Sequence, residues 1–173
     1  MLSASGRFEL RPIIAADKVY IHRGLSHPEV IKHYAVSFAT LEATQEQMDW
    51  YATLEREGTG QWWAIRSAQL GDFLGAIGIS GIVKQHRRCD LGYWLLPEHW
   101  RKGVIREALP LIIDHAFETL GLHRITAEVE TDNPASTKVL LHAGFVHEGT
   151  LRESEWKDGR AISLDVFSRL NRP

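Results

Sequence analysis

Gly92-Tyr-Trp-Leu-Leu-Pro-Glu-His-Trp-Arg-Lys-Gly-Val-Ile-Arg-Glu-Ala-Leu109 runs an apolar strand pattern into Pro97, a short basic turn, Gly103 and then a long amphipathic segment. A strand that passes through a glycine turn into a helix leaves unpaired backbone N–H groups at the helix start. Those donors and the positive end of the helix dipole form an anion site. Arg101 and Lys102 add positive charge at the same place. The anion most simply served is a phosphate group of a bound cofactor.

The helix that follows is the clearest element of the chain. Its apolar residues, from Ile105, Ala108 and Leu109 through Ile112 and Ile113 to Leu120, recur at i, i+3 and i+4 and leave one face apolar. Gly121 is placed to cap it, and Pro110 inside it predicts a kink or a weakened turn. Upstream, Gln61–Ser67, Phe73–Val83 and Cys89–Leu96 read as an antiparallel meander, turned at Leu70-Gly-Asp72 and at Lys84-Gln-His-Arg-Arg88. Phe8–Ile13 reads as a first strand stopped near Pro12, and residues 15–34 as one or two short helices divided around His27-Pro28. Thr44-Gln-Glu-Gln47 reads as a capping box opening a helix to about Glu57, which Gly58 and Gly60 end. Downstream, Arg124–Thr131 alternates like a half-buried strand. Asn133-Pro134 starts a short helix, with Asn at N-cap and Pro at N1, and Gly144 ends it. Phe145–Arg152 and Ala161–Phe167 then form a hairpin across Lys157-Asp-Gly-Arg160. This order predicts one α/β domain over residues 1–173, built on a mixed, mostly antiparallel sheet flanked by helices.

Composition sets the outer bounds. A chain of 173 residues that is 44% apolar supports one good core and is short for two. A net charge of -2 argues against binding nucleic acid directly through charge. With Cys89 as the single cysteine, neither an internal disulfide nor a cysteine zinc site is available, and a cytoplasmic location is expected. The opening Met-Leu-Ser-Ala-Ser-Gly-Arg7 lacks the apolar centre of a signal peptide. No run approaches the roughly 20 apolar residues of a membrane span. The nine histidines show no metal-ligand spacing, so no metal is expected.

Several of these segments together resemble one family. Gly92-Tyr-Trp-Leu95, the Trp-Arg-Lys-Gly turn, Thr131-Asp-Asn-Pro-Ala-Ser136 and Ala143-Gly-Phe-Val-His-Glu-Gly149 are similar to the GNAT superfamily of N-acetyltransferases. Within it they resemble the branch of the ribosomal-protein amino-terminal acetyltransferases RimJ and RimL. The likeness covers nearly the whole chain, including Gly149-Thr-Leu-Arg-Glu153 and Lys157-Asp-Gly-Arg160. It implies the acyl-CoA N-acyltransferase fold, with acetyl-CoA as cosubstrate and an amine acceptor attacking the thioester directly in a ternary complex.

The resemblance also assigns roles to residues. It places the pyrophosphate on the turn Trp100, Arg101, Lys102, Gly103, Val104 and Ile105. Gly103 keeps the family pattern. Trp100 stands where the family has Gln or Arg, and Ile105 where it has Gly or Ala, which brings a bulky side chain to the phosphate approach. The main chain of the strand end, around Leu95, is implied to bind the pantetheine arm and to face the developing oxyanion. Asn133 is implied to reach the same arm, and as an N-cap it has a local role as well. Ser136 is implied to protonate the leaving thiolate. A thiol with a reference pKa near 8.5 asks only a weak hydroxyl donor, and a first-turn serine also serves local backbone bonding. Asp90 stands where some members carry a catalytic carboxylate, so it is the candidate general base. The alternative is a solvated strand-end aspartate neutralised by Arg87 or Arg88. Glu42, Glu46, Glu128 and His99 are weaker candidates, and Cys89 reads as an idle, buried thiol.

The acceptor expected from the branch is a protein or peptide α-amine. An α-amine has a reference pKa near 7.7 to 8.0, whereas a lysine amine near 10.4 costs about 3 kcal/mol more to deprotonate at neutral pH. A chain without an evident strong base favours the easier acceptor. Glu153–Asp158, read as a loop, and the region from His22 to Thr44 are expected to line the acceptor groove, with Trp156 and Tyr34 among them. The same carboxylates would attract a polyamine, and an antibiotic amine also remains open. So do a non-catalytic CoA-binding module and a homodimer.

Overall fold

The structure of the protein, a computed structural model, describes residues 6–172. The opening residues read above for a leader lie mostly outside that range. Seven strands form one sheet: β1 (Phe8–Pro12), β2 (Gln61–Ser67), β3 (Phe73–Val83), β4 (Arg88–Leu95), β5 (Arg124–Glu130), β6 (Val146–Lys157) and β7 (Arg160–Leu170). Their order across the sheet is β1-β2-β3-β4-β5-β7-β6. Every neighbouring pair is antiparallel except β4 with β5. The helices are α1 (Lys18–Leu25), α2 (Pro28–Ile31), α3 (Gln45–Glu57), α4 (Val104–Asp114) and α5 (Pro134–His142). The α/β class, the mixed sheet and the meander of β2, β3 and β4 agree with the sequence reading.

Alternation along the strands sends apolar side chains to both faces of the sheet, and each face has its own core. On one face, Cys89, Leu91 and Leu95 of β4 join Ile125, Ala127 and Val129 of β5 under α4. On the other, Trp94 of β4 and Trp62 of β2 pack with Ile21, Leu25 and Leu54 of α1 and α3. The second core is tight enough to dictate a residue: a Cβ on Gly24 would lie 2.1 Å from the Trp94 ring.

Two local expectations are corrected, and a third takes its milder form. Thr44 makes no capping box. It sits in the helical region without a side-chain cap. Its hydroxyl donates instead to the Thr40 carbonyl at 2.9 Å and meets His22 Nδ1 at 2.9 Å, because a turn over residues 40–44 leads into α3. At Pro110, where a kink or a weakened turn was expected, α4 continues to Asp114 with one hydrogen bond fewer. Proline removes one N–H, leaving the Arg106 carbonyl without its helical donor; both residues are exposed, so water can serve it. The irregularity falls later, as a π-helical turn at His115–Thr119. Finally, Glu153–Lys157 is the end of strand β6 rather than a loop. The hairpin turn itself is as expected: Asp158 (φ 50°) and Gly159 (φ 76°) both take the left-handed conformation of a two-residue turn.

Candidate active site

The site follows from a strand pair that stops pairing. β4 and β5 are in register only at Arg88–Asp90 with Arg124–Thr126. Beyond that point β4 continues beside β3 as far as Leu95, and β5 continues beside β7 as far as Glu130. The two strands diverge, and a cleft of about 620 Å³ opens between them. Leu96 N–H donates to the Leu74 carbonyl at 2.9 Å. Strand alternation therefore turns the main-chain groups of Tyr93 and Leu95 away from β3 and into the cleft.

One end of the cleft is cationic. α4 starts there, and its first intrahelical bond runs from Glu107 N–H to the Gly103 carbonyl at 3.1 Å. The amides of Val104, Ile105 and Arg106 are thus left without helical acceptors, at the positive end of the helix. Gly103 caps the helix at φ 78°, and Arg101 two residues earlier is also left-handed at φ 59°. Such a backbone turns N–H groups into a concavity for an anion. The side chains of His99, Arg101 and Arg106 line this end. Burial holds the His99 imidazole below its ordinary pKa. Ile105 lines the wall too, but its side chain is packed into the larger core, so its bulk is taken up by packing and does not stand over the helix start. Trp100 has a role that its departure from the family pattern did not suggest. Its indole Nε1 donates to the Leu95 carbonyl at 2.9 Å, stapling the turn to the strand end.

The middle of the cleft holds a pair of hydroxyls. Ser136 Oγ lies 2.6 Å from Tyr93 OH, and burial pushes the Tyr93 phenol up to about 12 while the bond to Ser136 opposes the shift. Asn133 Oδ1 accepts from Ser136 N–H at 3.2 Å, so the N-cap exists and lies in the cleft wall. Tyr93 went unremarked in the sequence. Its signal is parity: odd positions of β4 face the side on which α5 lies.

The far end is acidic. Glu29, Glu128 and Asp132 line it, together with His33 and Tyr34. Burial raises the pKa of Glu128, and the nearby carboxylates of Asp90 and Glu155 raise it further. His33, Glu130 and Asp132 bring a ring nitrogen and two carboxylates within 4.8 Å of one another. The ammonium of Lys157 bonds to Glu130 and supplies counter-charge from within the protein.

Two expected residues are not brought into this cleft. Lys102 is exposed outside its wall, and Asp90 sits where β4 and β5 are still paired. The Asp90 carboxylate lies over Gly81. Burial raises its pKa, against the pull of Arg88 and Arg124. Of the expected acceptor region, Glu29, His33 and Tyr34 do line the cleft, whereas Trp156 is 78% exposed on an edge strand away from it. Cys89 is buried, and burial pushes its thiol up to about 12, which makes it a poor nucleophile.

A splayed parallel strand pair, with a helix start at one end of the split, defines the acyl-CoA N-acyltransferase class. Comparison with known proteins gives the family. The profile of the "Acetyltransferase (GNAT) domain" matches residues 7–146, and the chain belongs to that family. It is 34% identical to the "Uncharacterized N-acetyltransferase YoaA" of Bacillus subtilis, over 94% of this chain and 92% of that one. It is 24% identical to the "Ribosomal-protein-serine acetyltransferase" of Escherichia coli, over 93% and 85%. Among solved structures it resembles RimL, a ribosomal alpha-N-protein acetyltransferase in complex with coenzyme A, with a TM-score of 0.89 at 19% identity, covering 98% of this chain and 97% of that one. It also resembles the spermidine N-acetyltransferase of Vibrio cholerae in complex with CoA and spermine, with a TM-score of 0.85 at 23% identity, covering 94% and 95%. The chain is an acetyl-CoA-dependent N-acetyltransferase of that family. Among the described residues no helix is long and apolar enough to cross a membrane.

Proposed function

We propose that the protein acetylates the α-amine of a protein or peptide in the cytoplasm. The observation that carries the reading is the polarity of the cleft. One end offers helix-start amides and cations to an anionic donor, and the other offers Glu29, Glu128 and Asp132 to a cationic acceptor. Acetyl-CoA would lie with its pyrophosphate at Gly103–Arg106 and its arm along the cleft-facing main-chain groups of Tyr93 and Leu95, beside Asn133. Its thioester would then fall between the two ends, near the hydroxyl pair.

The chemistry divides the same way. The amine nitrogen attacks the thioester carbonyl carbon, and the C–S bond breaks. The thiolate takes a proton from Ser136 Oγ as Ser136 takes one from Tyr93. Tyr93 is the more acidic of the two hydroxyls, so it is the proton source and Ser136 the relay. Asp90, outside the cleft wall, takes no part as a base in this reading.

An α-amine is favoured because it deprotonates more easily than a lysine side chain. A polyamine is the second reading, favoured by the number of carboxylates at the acidic end. Thiol release with free and blocked amino-terminal peptides, spermidine and aminoglycosides tests both. Turnover of the free α-amine peptide with none of its blocked, lysine-containing counterpart supports the proposal. Turnover of spermidine alone replaces it with the second reading, and no turnover of any amine removes both.

A further inference from the structure

The step left without an agent is removal of the acceptor's own proton. At neutral pH an amine arrives mostly as ammonium, which has no lone pair for attack. Resting on the reading above, we infer that His33 takes this proton at Nε2, with Glu130 and Asp132 as positioning residues that hold its ring.

The tautomer follows from the partners. His33 Nδ1 lies 3.2 Å from Glu130 Oε2 and 3.4 Å from Asp132 Oδ1. Ionised carboxylates accept hydrogen bonds and cannot donate them, so Nδ1 carries the ring proton. The lone pair is then on Nε2, which has no hydrogen-bond partner among the described residues, on a side chain that lines the cleft. Imidazole is also the side chain whose reference titration, about 6.5, falls close to neutral pH.

The ring is held from several elements. His33 lies just past the Lys32 cap of α2, and Glu29 on that helix lines the same cleft. Glu130 ends β5 and is buried. Its second oxygen bonds to the Lys157 ammonium of β6. Lys157 also donates to the Lys32 carbonyl at 2.6 Å, which fixes the backbone immediately before His33. Asp132, just beyond β5, lies 3.7 Å from Arg160 at the start of β7. Two carboxylates therefore face two cations around a neutral ring.

The proton count closes. The acceptor ammonium gives one proton to His33 Nε2, and its freed lone pair forms the C–N bond. The thiolate that leaves takes a proton from the Ser136–Tyr93 pair. The second nitrogen proton, lost as the amide forms, restores that pair, and His33 releases its proton to water. One ammonium and one thioester become one amide, one thiol and one proton.

The test is the pH profile of kcat/KM for the amine at saturating acetyl-CoA. His33→Gln should lower the value at pH 7 by about 100-fold, within the range for a general base. It should also move the acid limb up to the amine's own ionisation, because without the base only amine that arrives neutral can attack, leave the Kd of acetyl-CoA within twofold, and recover partly with added imidazole. Asp132→Asn changes an exposed carboxylate and provides a second variant should His33→Gln fail to fold. It removes one acceptor of the Nδ1 proton and should move the acid limb to lower pH. Wild-type turnover with an unchanged rate and acid limb in folded His33→Gln would overturn the inference while leaving the acetyltransferase reading intact. An unmoved limb in folded Asp132→Asn overturns it too. So does an acid limb that stays in place in His33→Gln but moves up to the amine's own ionisation in Glu128→Gln. Activity abolished by a chelator and restored by zinc or manganese would make the trio a metal site, again against the inference. Absence of wild-type turnover with every amine would instead remove the function on which it rests.

Discussion

The two ends of the cleft are made of different materials. The cationic end is mostly main chain: the start of α4, the left-handed Arg101 and Gly103, and an indole stapling the turn to β4. Nearly all of it lies between Tyr93 and Arg106. The acidic end is all side chain, gathered from α2, β5 and the β6–β7 hairpin, with His33 and Glu130 97 residues apart in sequence. A donor common to a whole family can be held by backbone geometry, which tolerates side-chain change. An acceptor that differs among relatives is met by side chains, which can change without altering the fold. The cationic end should therefore respond to changes in backbone and charge by losing the donor. The acidic end should respond to side-chain changes by losing the acceptor.

The largest binding effect is expected at Gly103. Space there is open, since an added Cβ would meet only Arg7 Nη2 at 3.6 Å, but φ is +78°. Gly103→Glu puts a carboxylate where the pyrophosphate binds and should weaken acetyl-CoA at least tenfold by calorimetry, about 1.4 kcal/mol. Gly103→Ala separates charge from strain. Left-handed backbone costs a non-glycine residue about 1–2 kcal/mol, which should appear as a lower Tm, with a smaller change in Kd than the glutamate causes. Equal loss of affinity in both variants would mean that the turn matters only for its shape.

Next is the hydroxyl pair between the ends. Ser136→Ala and Tyr93→Phe should each lower kcat about tenfold and leave the acetyl-CoA KM within twofold. Because the two act as one relay, the double variant should lose no more than the worse single one. Asp90→Asn should stay within twofold in kcat, since Asp90 lies outside the cleft wall. A larger loss there would bring the strand-end carboxylate back as the base.

The same contrast explains what could be read in the sequence. Strands, the α4 helix and the anion turn are local: alternation, i/i+3/i+4 spacing and one glycine encode them, and residues 92–109 carried them. The first errors came where a local signal met a tertiary competitor. Thr44 has the sequence of a cap, yet its hydroxyl is used by Thr40 and His22. The acidic end was legible only in outline. That residues 22–44 approach the acceptor was expected, but nothing local marks His33, whose partners come from β5. Trp156 looked functional because it is aromatic and sits among charges, yet it projects from an edge strand. Tyr93 was within reach of strand parity alone.

A smaller effect should separate acceptor from donor. Glu128 lines the acidic end, with a pKa raised by burial and by Asp90 and Glu155. Glu128→Gln should raise the amine KM about threefold, in the range of exposed charge pairs, without changing the Kd of acetyl-CoA. A carboxyl with a raised pKa loses its charge earlier on acidification. Glu128 should therefore contribute to amine binding at neutral pH and stop contributing as pH falls, above the range of an ordinary glutamate. The wild-type and Glu128→Gln values of KM should converge on that side. Added salt should narrow the difference as well. A change in acetyl-CoA affinity instead would mean that the two ends are not separate.

The smallest effect is expected at Trp100, where a side chain has entered the main-chain end. Its indole N–H holds the Leu95 carbonyl, and the ring is 39% exposed. A neutral hydrogen bond contributes about 0.5–1.5 kcal/mol net, and water can replace part of it at an exposed site. Trp100→Phe keeps a ring and removes the donor. Without the staple, the turn from Pro97 to Gly103 must be ordered by the ligand, so acetyl-CoA should bind about twofold more weakly with kcat unchanged. The carbonyl has two lone pairs, so the staple and an amide of the pantetheine arm can share it. The sign of the change is what matters. Weaker binding in Trp100→Phe means that the cationic end is formed before the donor arrives. Tighter binding would mean that the indole competes with the arm for the carbonyl, and that this end, like the acidic one, is completed by side chains that the ligand must move.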